Sequence, residues 1–259
     1  MTNETQGLLK IYRKYPCRTL PNAFWKTPID KPGARLSFLW DTDGQLAALA
    51  VWQKNRLMAF WCTDPQAPLL TPQQAAQTPF ALVHQNGLPI FDQHRFSRKS
   101  PYFRLSHSGR PPEVTCPPHF CCQAFEPQAD IKQAENLIQT CYPNTAVDAD
   151  SIRMWLDRPV YHPGLWVWAA HVHSGEKVGL GIAEYDPVVP EVSLEWLQVH
   201  PRFQGKGLGK ALVGELMRKA IDLADIMTVS WQVHHSNQLE RLYRGCGFEG
   251  SNMWWLLSE

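Results

Sequence analysis

The sequence predicts a mixed α/β (α+β) protein in two parts, a smaller N-terminal domain over residues 1–117 and an α/β domain over 118–259. Three observations lead there. Proline pairs crowd the stretch from Ser97 to Pro118, a regular alternation of apolar strands and helices follows it, and a buried-strand pattern at 191–199 runs into a glycine-rich turn and a long helix.

Within the first part, the run from Gly44 to Cys62 reads as two apolar segments around the polar turn Gln53-Lys54-Asn55-Arg56, which predicts a hairpin. The rest of that part is broken by prolines and carries no catalytic motif. Proline lacks an amide donor and fixes its own φ, so 97–118 is expected to hold neither a helix nor a central strand.

Beyond residue 117 the pattern predicts a strand near 119–126, a helix from Asp130 to about Cys141 and a helix from about Asp148 to Leu156. Strands at 165–172, 177–185 and 191–199 follow, then a helix at about 206–224, a strand at 226–233, a helix at about 236–245 and a last strand near 247–257. Asp130 and the pair Ser236-Asn237 supply side-chain acceptors for helix starts.

Composition narrows the function. With 44% hydrophobic residues the chain can bury a sizeable core, and 25 basic against 24 acidic residues leave a net charge of +1. That balance gives no field to draw the protein toward nucleic acid or an anionic membrane. No apolar run reaches the ~20 residues of a spanning helix, and the N-terminal stretch is not a secretory signal, so the expected location is the cytoplasm. Seven scattered cysteines, an odd number, argue against a disulfide framework. Neither His171/His173 nor His234-His235 stands at a spacing that closes a zinc site with neighbouring Cys, Asp or Glu, and no metal is expected. Adjacent Cys121-Cys122 lacks the spacing of a redox dithiol.

The chemistry concentrates in 192–220. On strand alternation, Val192, Leu194 and Trp196 share one face and Glu195, Leu197 and Val199 the other. His200-Pro201 ends the strand. Gly205, Gly207 and Gly209 let the backbone approach a ligand, and the following helix turns its unpaired amides and positive dipole end toward that turn. Lys206 and Lys210 add charge, so the segment is an anion cradle. A P-loop is excluded because Ala211 follows Gly209-Lys210, and the dinucleotide fingerprint fails because Leu212 stands where its third glycine belongs.

What remains, Gln204-Gly205-Lys206-Gly207-Leu208-Gly209 behind Val199-His200-Pro201, resembles the Gln/Arg-x-x-Gly-x-Gly/Ala signature of the GNAT superfamily of N-acetyltransferases. A second segment resembles that family's Asn-x-x-Ala-x-x-Leu-Tyr-x-x-x-Gly-Phe helix, with Leu242, Tyr243, Gly247 and Phe248 at its spacing, Asn237 one residue nearer to Leu242 than the pattern has it, and Glu240 in the stretch where alanine is usual. The resemblance implies a mostly antiparallel sheet with a splayed parallel pair, here 191–199 and 226–233, flanked by helices. It implies acetyl-CoA as cosubstrate, with Leu197, Gln198 and Val199 along the pantetheine arm, Gln204, Gly205, Lys206, Gly207, Leu208, Gly209 and Lys210 around the diphosphate, and Asn237 near the arm. Tyr243 matches the tyrosine that protonates the departing thiolate in many relatives. Glu195, the charged residue inside an apolar strand, is the expected general base, with Glu184 in reserve. The acceptor would be a primary amine of a small molecule or peptide. The first part would be a degenerate copy of the same fold or a cap that shapes the acceptor site, and homodimerisation is left open. The alternative reading is an acyl-CoA-binding module that does not catalyse transfer.

Overall fold

The apolar runs on either side of residues 53–56 pair as an antiparallel hairpin, with Gln53 opposite Arg56 and Lys54 in the left-handed region at φ 58°. In the computed structural model, which describes residues 3–29, 31–66, 69–233 and 238–259, the elements follow in this order. Helices α1 (Asn3–Lys14) and α2 (Pro16–Thr19) precede strands β1 (Ala34–Trp40), β2 (Leu46–Gln53) and β3 (Arg56–Cys62), helix α3 (Pro72–Ala76), and strands β4 (Phe80–His84) and β5 (Arg98–His107). Then come β6 (Phe120–Ala124), α4 (Pro127–Cys141), α5 (Ala149–Leu156), β7 (Trp166–His171), β8 (Lys177–Asp186), β9 (Glu191–Val199), α6 (Leu208–Ala220), β10 (Ile226–Gln232), α7 (Gln238–Arg244) and β11 (Glu249–Ser258).

The chain divides into two compact units, residues 1–106 with 229–236 and 250–259, and residues 107–228 with 237–249. The boundary expected at residue 117 lies inside the second unit. In the first unit the strands run β1-β2-β3-β4-β11-β5, joined by the end of β10. All its described pairings are antiparallel except β3 with β4, which are parallel and linked through α3. Its core gathers Phe60, Val83, Phe91, Phe96 and Leu257. The proline argument fails at β5, a ten-residue strand that contains Pro101. The strand uses only that residue's carbonyl, which accepts from the Val233 amide at 2.8 Å, so the missing N–H costs nothing there.

In the second unit the order is β10-β9-β8-β7-β6, with β10 contributing its first residues. The sheet is mixed and mostly antiparallel, as expected. Helix α6 crosses from β9 to β10, the kind of connection a parallel pair requires. Its seat is unusually close. A Cβ added to Gly181 on β8 would lie 2.9 Å from Leu216 Cδ1 of α6, so glycine there lets the helix rest on the sheet backbone. On the other face, α4 and α5 pack Ile138, Ile152 and Trp155 over Trp166, Trp168, Leu180 and Ile182.

Helix α4 begins at Pro127 with Glu126 at its N-cap, three residues before the expected start. Asp130 is therefore inside the first turn, where its carboxylate accepts from the Glu126 amide at 2.9 Å and from Trp168 Nε1 at 2.8 Å, and pairs with Lys177. Burial raises the pKa of this carboxyl, but the amide, the lysine and the indole outweigh it and hold it below the usual carboxylate value. Helix α5 starts where expected, with Asp148 as its N-cap accepting from the Ser151 amide at 2.8 Å. The expected cap at Ser236-Asn237 lies outside the described residues.

Asp130 joins α4, β7 and β8, so Asp130→Asn is expected to destabilise the protein by about 2–4 kcal/mol, because it leaves Lys177 poorly compensated. A depressed folded-state pKa stabilises above the unfolded value of about 3.9 and loses that contribution as pH falls through the folded value. Chemical denaturation from pH 6 to pH 2 should therefore show a steeper acid loss in the wild type than in Asp130→Asn.

Candidate active site

Strand β9 is interrupted at the residue expected to be the base. Ile182 of β8 stands opposite Trp196 and Ala183 opposite Leu194, which leaves Glu195 as an extra residue in a bulge. The alternation therefore resets. Leu194 and Trp196 fall on opposite faces, and Trp196 joins the aromatic packing beneath α4 and α5, stacked on Trp155 at 5.3 Å. Leu197 keeps the α6 face, 3.7 Å from the Cβ position of Gly181. Glu195 turns the other way: its carboxylate accepts from Ser193 Oγ at 2.7 Å, and Ser193 stands opposite Glu184. The expectation that Glu195 shares a face with Leu197 and Val199 is corrected by the bulge, which a strict two-residue period could not anticipate. Glu184 is buried and paired with Arg158 at 3.3 Å.

Past the bulge, the His200 amide donates to the Val178 carbonyl of β8, so Leu197 and Val199 direct their own carbonyls away from that strand. Gln204 Nε2 donates to the Val199 carbonyl at 3.0 Å and Tyr142 Oη to the Leu197 carbonyl at 3.0 Å. Pro201–Phe203 form a short turn, and Gly205 and Gly207 then take φ 76° and 84°. Gly207 is the N-cap of α6 and has no side chain to offer, so the first amides of the helix are left for an external acceptor. A Cβ on Gly207 would come 3.4 Å from Pro117 Cγ, which brings the end of the proline-rich segment against the cradle.

These pieces surround a cavity of about 420 Å³. Of the residues expected to hold a coenzyme, Leu197, Gln198, Val199, Gln204, Gly205, Gly207, Leu208, Gly209 and Lys210 all line it. Lys206 does not, and its Nζ lies 5.1 Å from the centre of the Phe203 ring. Asn237 lies outside the described residues, as do His234 and His235. Leu242 of the second motif also lines the cavity, as do Cys141, Tyr142, Phe203, Gln238 and Leu239, which were not singled out from the sequence. The one local signal among them is Tyr142-Pro143 at the end of a predicted helix, a stop that carries no chemistry by itself.

Tyr243 is buried on α7, its ring edge-on to Phe248 at 5.8 Å, and it is not among the cavity-lining residues. Burial, reinforced by the nearby Tyr142 and Cys246, raises its pKa well above the ordinary phenol value, so it keeps its proton throughout the neutral range. Among the described residues no group of three or more His, Cys, Asp or Glu could hold a metal ion, and no helix is long and apolar enough to cross a membrane.

A strand that ends in a left-handed glycine turn beneath an unpaired helix start is the geometry of the family suggested by the sequence, and the family comparison agrees. Residues 131–248 match the model of the Acetyltransferase (GNAT) family. This segment is a GNAT acetyltransferase domain. Among curated proteins none matches the chain. Solved structures are similar over both halves. A GCN5-related N-acetyltransferase from Sphaerobacter thermophilus is 15% identical, with a TM-score of 0.63 over 86% of this chain and 79% of that one. A Drosophila protein is 13% identical with a TM-score of 0.60, covering 100% and 97%. A GNAT-family acetyltransferase from Colwellia psychrerythraea is 12% identical with a TM-score of 0.59, covering 98% and 95%. At these identities the structural likeness shows the fold alone. The GNAT assignment rests on the family match.

The cradle depends on left-handed backbone at Gly207. Gly207→Ala is expected to cost about 1–2 kcal/mol of stability, because a Cβ disfavours that conformation. Thermal unfolding of the variant against the wild type checks it.

Proposed function

We propose that the chain is an N-acetyltransferase that uses acetyl-CoA to acetylate a primary amine of a small molecule or peptide by direct transfer. The observation that carries this reading is the cavity in which the end of β9 meets the N-terminus of α6. The residues present suit the coenzyme. Exposed amides, two left-handed glycines and Lys210 offer positive potential to a diphosphate, and the β9 edge offers backbone partners to an extended amide-bearing arm. The coenzyme would supply an activated acyl thioester. Leu197, Gln198 and Val199 would align its arm, and Gln204–Lys210 would hold its diphosphate, with Lys206 contributing charge from outside the cavity wall. Asn237 is proposed to assist near the arm.

Tyr243 is the proposed proton donor to the leaving sulfur, a role that suits a phenol kept protonated by burial. Glu195 is the proposed acceptor of the amine's proton, with Glu184 as the reserve. The bulge supports the choice of Glu195, because it turns the carboxylate out of the regular alternation and onto the face with Ser193, Trp196 and Trp155. An amine could be received there by a carboxylate and aromatic walls.

The first part of the chain is proposed to be a degenerate copy of the second. Three antiparallel strands, a helix and a strand beside the third recur in β1-β2-β3-α3-β4, where β4 is parallel to β3, as in β7-β8-β9-α6-β10. Helix α3, however, has five residues and starts from a capping box between Thr71 and Gln74 rather than a glycine turn, so that copy offers no cradle. The neutral charge balance favours a compact amine over nucleic acid or membrane, and a cytoplasmic, homodimeric protein is compatible with this reading.

An acetyl-CoA assay against a panel of amines tests the proposal. Transfer by the wild type should fall about 100-fold in kcat for Tyr243→Phe and by a similar factor in kcat/KM for the amine in Glu195→Gln, with coenzyme affinity little changed. Coenzyme binding without transfer to any amine would favour a non-catalytic acyl-CoA-binding module.

A further inference from the structure

The cavity wall holds two side-chain groups, a hydroxyl and an amide, to which the proposed mechanism gives no part. The first is Tyr142, whose hydroxyl donates to the Leu197 carbonyl, one of the β9 groups that an added arm would need. The second is Gln198. Its side chain is 3% exposed and lines the same cavity, yet neither its Oε1 nor its Nε2 has a hydrogen-bond partner among the described residues. A buried amide with both ends unsatisfied is a standing cost to the folded protein, and such groups commonly mark a place where a ligand completes the bonding.

Tyr142 is built to move by side-chain rotation alone. It ends α4 at φ −132° and ψ 76°, its amide donates to the Ile138 carbonyl at 2.8 Å, and Pro143 after it disfavours a return of its backbone to the helical region. Its ring rests edge-on against Trp196 at 5.7 Å, while 41% of the residue is exposed, so a rotamer change has open solvent to enter. Partial burial, with Cys141 adding to it, raises the pKa of the hydroxyl, which keeps it a donor to Leu197 at neutral pH.

We propose that Tyr142 is a gate on the acyl-donor groove and that Gln198 is the positioning residue behind it. In the closed state the phenol occupies the Leu197 carbonyl. When it rotates out, that carbonyl and the Gln198 amide become available to a linear ligand carrying amide groups, whose N–H and C=O satisfy all three atoms. The inference rests on the acyl-coenzyme reading of this cavity, and it adds a closed state and a side-chain contact that backbone pairing alone does not require.

Titration calorimetry with CoA, on the wild type and two variants, tests it together with thermal unfolding. Tyr142→Phe keeps the ring and removes the competing hydroxyl, so its dissociation constant should fall about five-fold, equivalent to ~1 kcal/mol. Gln198→Met keeps the shape and removes the unsatisfied amide, so its unfolding midpoint should rise by a few degrees while CoA binding weakens about ten-fold. A residue that serves only packing would not separate stability from binding in this way. If CoA binds the wild type but Tyr142→Phe binds no tighter, or Gln198→Met binds as well as the wild type or unfolds earlier, the gate is wrong and the coenzyme reading stands. If CoA binds none of the three proteins, the coenzyme reading falls and the gate with it.

Discussion

The close seat of α6 on β8 is the contact from which the site follows. Gly181 leaves no room for a methyl group beneath Leu216, so the helix lies against the sheet and its first amides open where β9 ends. A helix start offers about half a positive charge, concentrated on its unpaired N–H groups. The left-handed backbone at Gly205 and Gly207 turns the chain from strand to helix without placing a side chain in that field. Lys210 adds a full charge at the rim. The acetyltransferase domain would thus build the proposed anion site mostly from backbone, and a Cβ at Gly207 would disfavour the left-handed turn on which that site depends.

The bulge at Glu195 divides β9 between two tasks. Before it, the strand is an ordinary buried member of the sheet, paired residue by residue with β8. After it, Leu197 and Val199 show their carbonyls to the cavity, and the side chains of Tyr142 and Gln204 hold those carbonyls. One extra residue also moves Glu195 across the sheet to Ser193, away from the cradle. Acyl-donor and acceptor functions would then approach from opposite faces of a single strand, and Tyr142 and Trp196, in edge contact, link the two sides.

Much of the second unit was legible because its signals are local. Turn glycines, the start of α5 and the apolar runs of β7, β8 and β9 each act within a few residues, and the two motifs that named the family are short and contiguous. What the sequence hid depends on distance along the chain. Asp130 looked like a cap because its bonds to Trp168 and Lys177 come from other elements. Glu195 was assigned to the wrong face because a bulge is set by the partner strand's register. Pro101 argued against a strand, since nothing nearby shows that only its carbonyl is needed. Tyr142 lies outside any motif, and its place at the cavity arises only when the end of α4 meets β9.

The claim on which the whole account turns is that the cavity at the start of α6 binds a coenzyme through its phosphates. Calorimetric titration of CoA into the wild-type chain and into Lys210→Glu measures this directly, since the substitution reverses one charge at the cavity rim and leaves the glycine turn intact. The account predicts a single site in the wild type and affinity weakened at least ten-fold in the variant, with the difference shrinking as salt is raised. Equal affinities in the two proteins, or no binding to either, would contradict it.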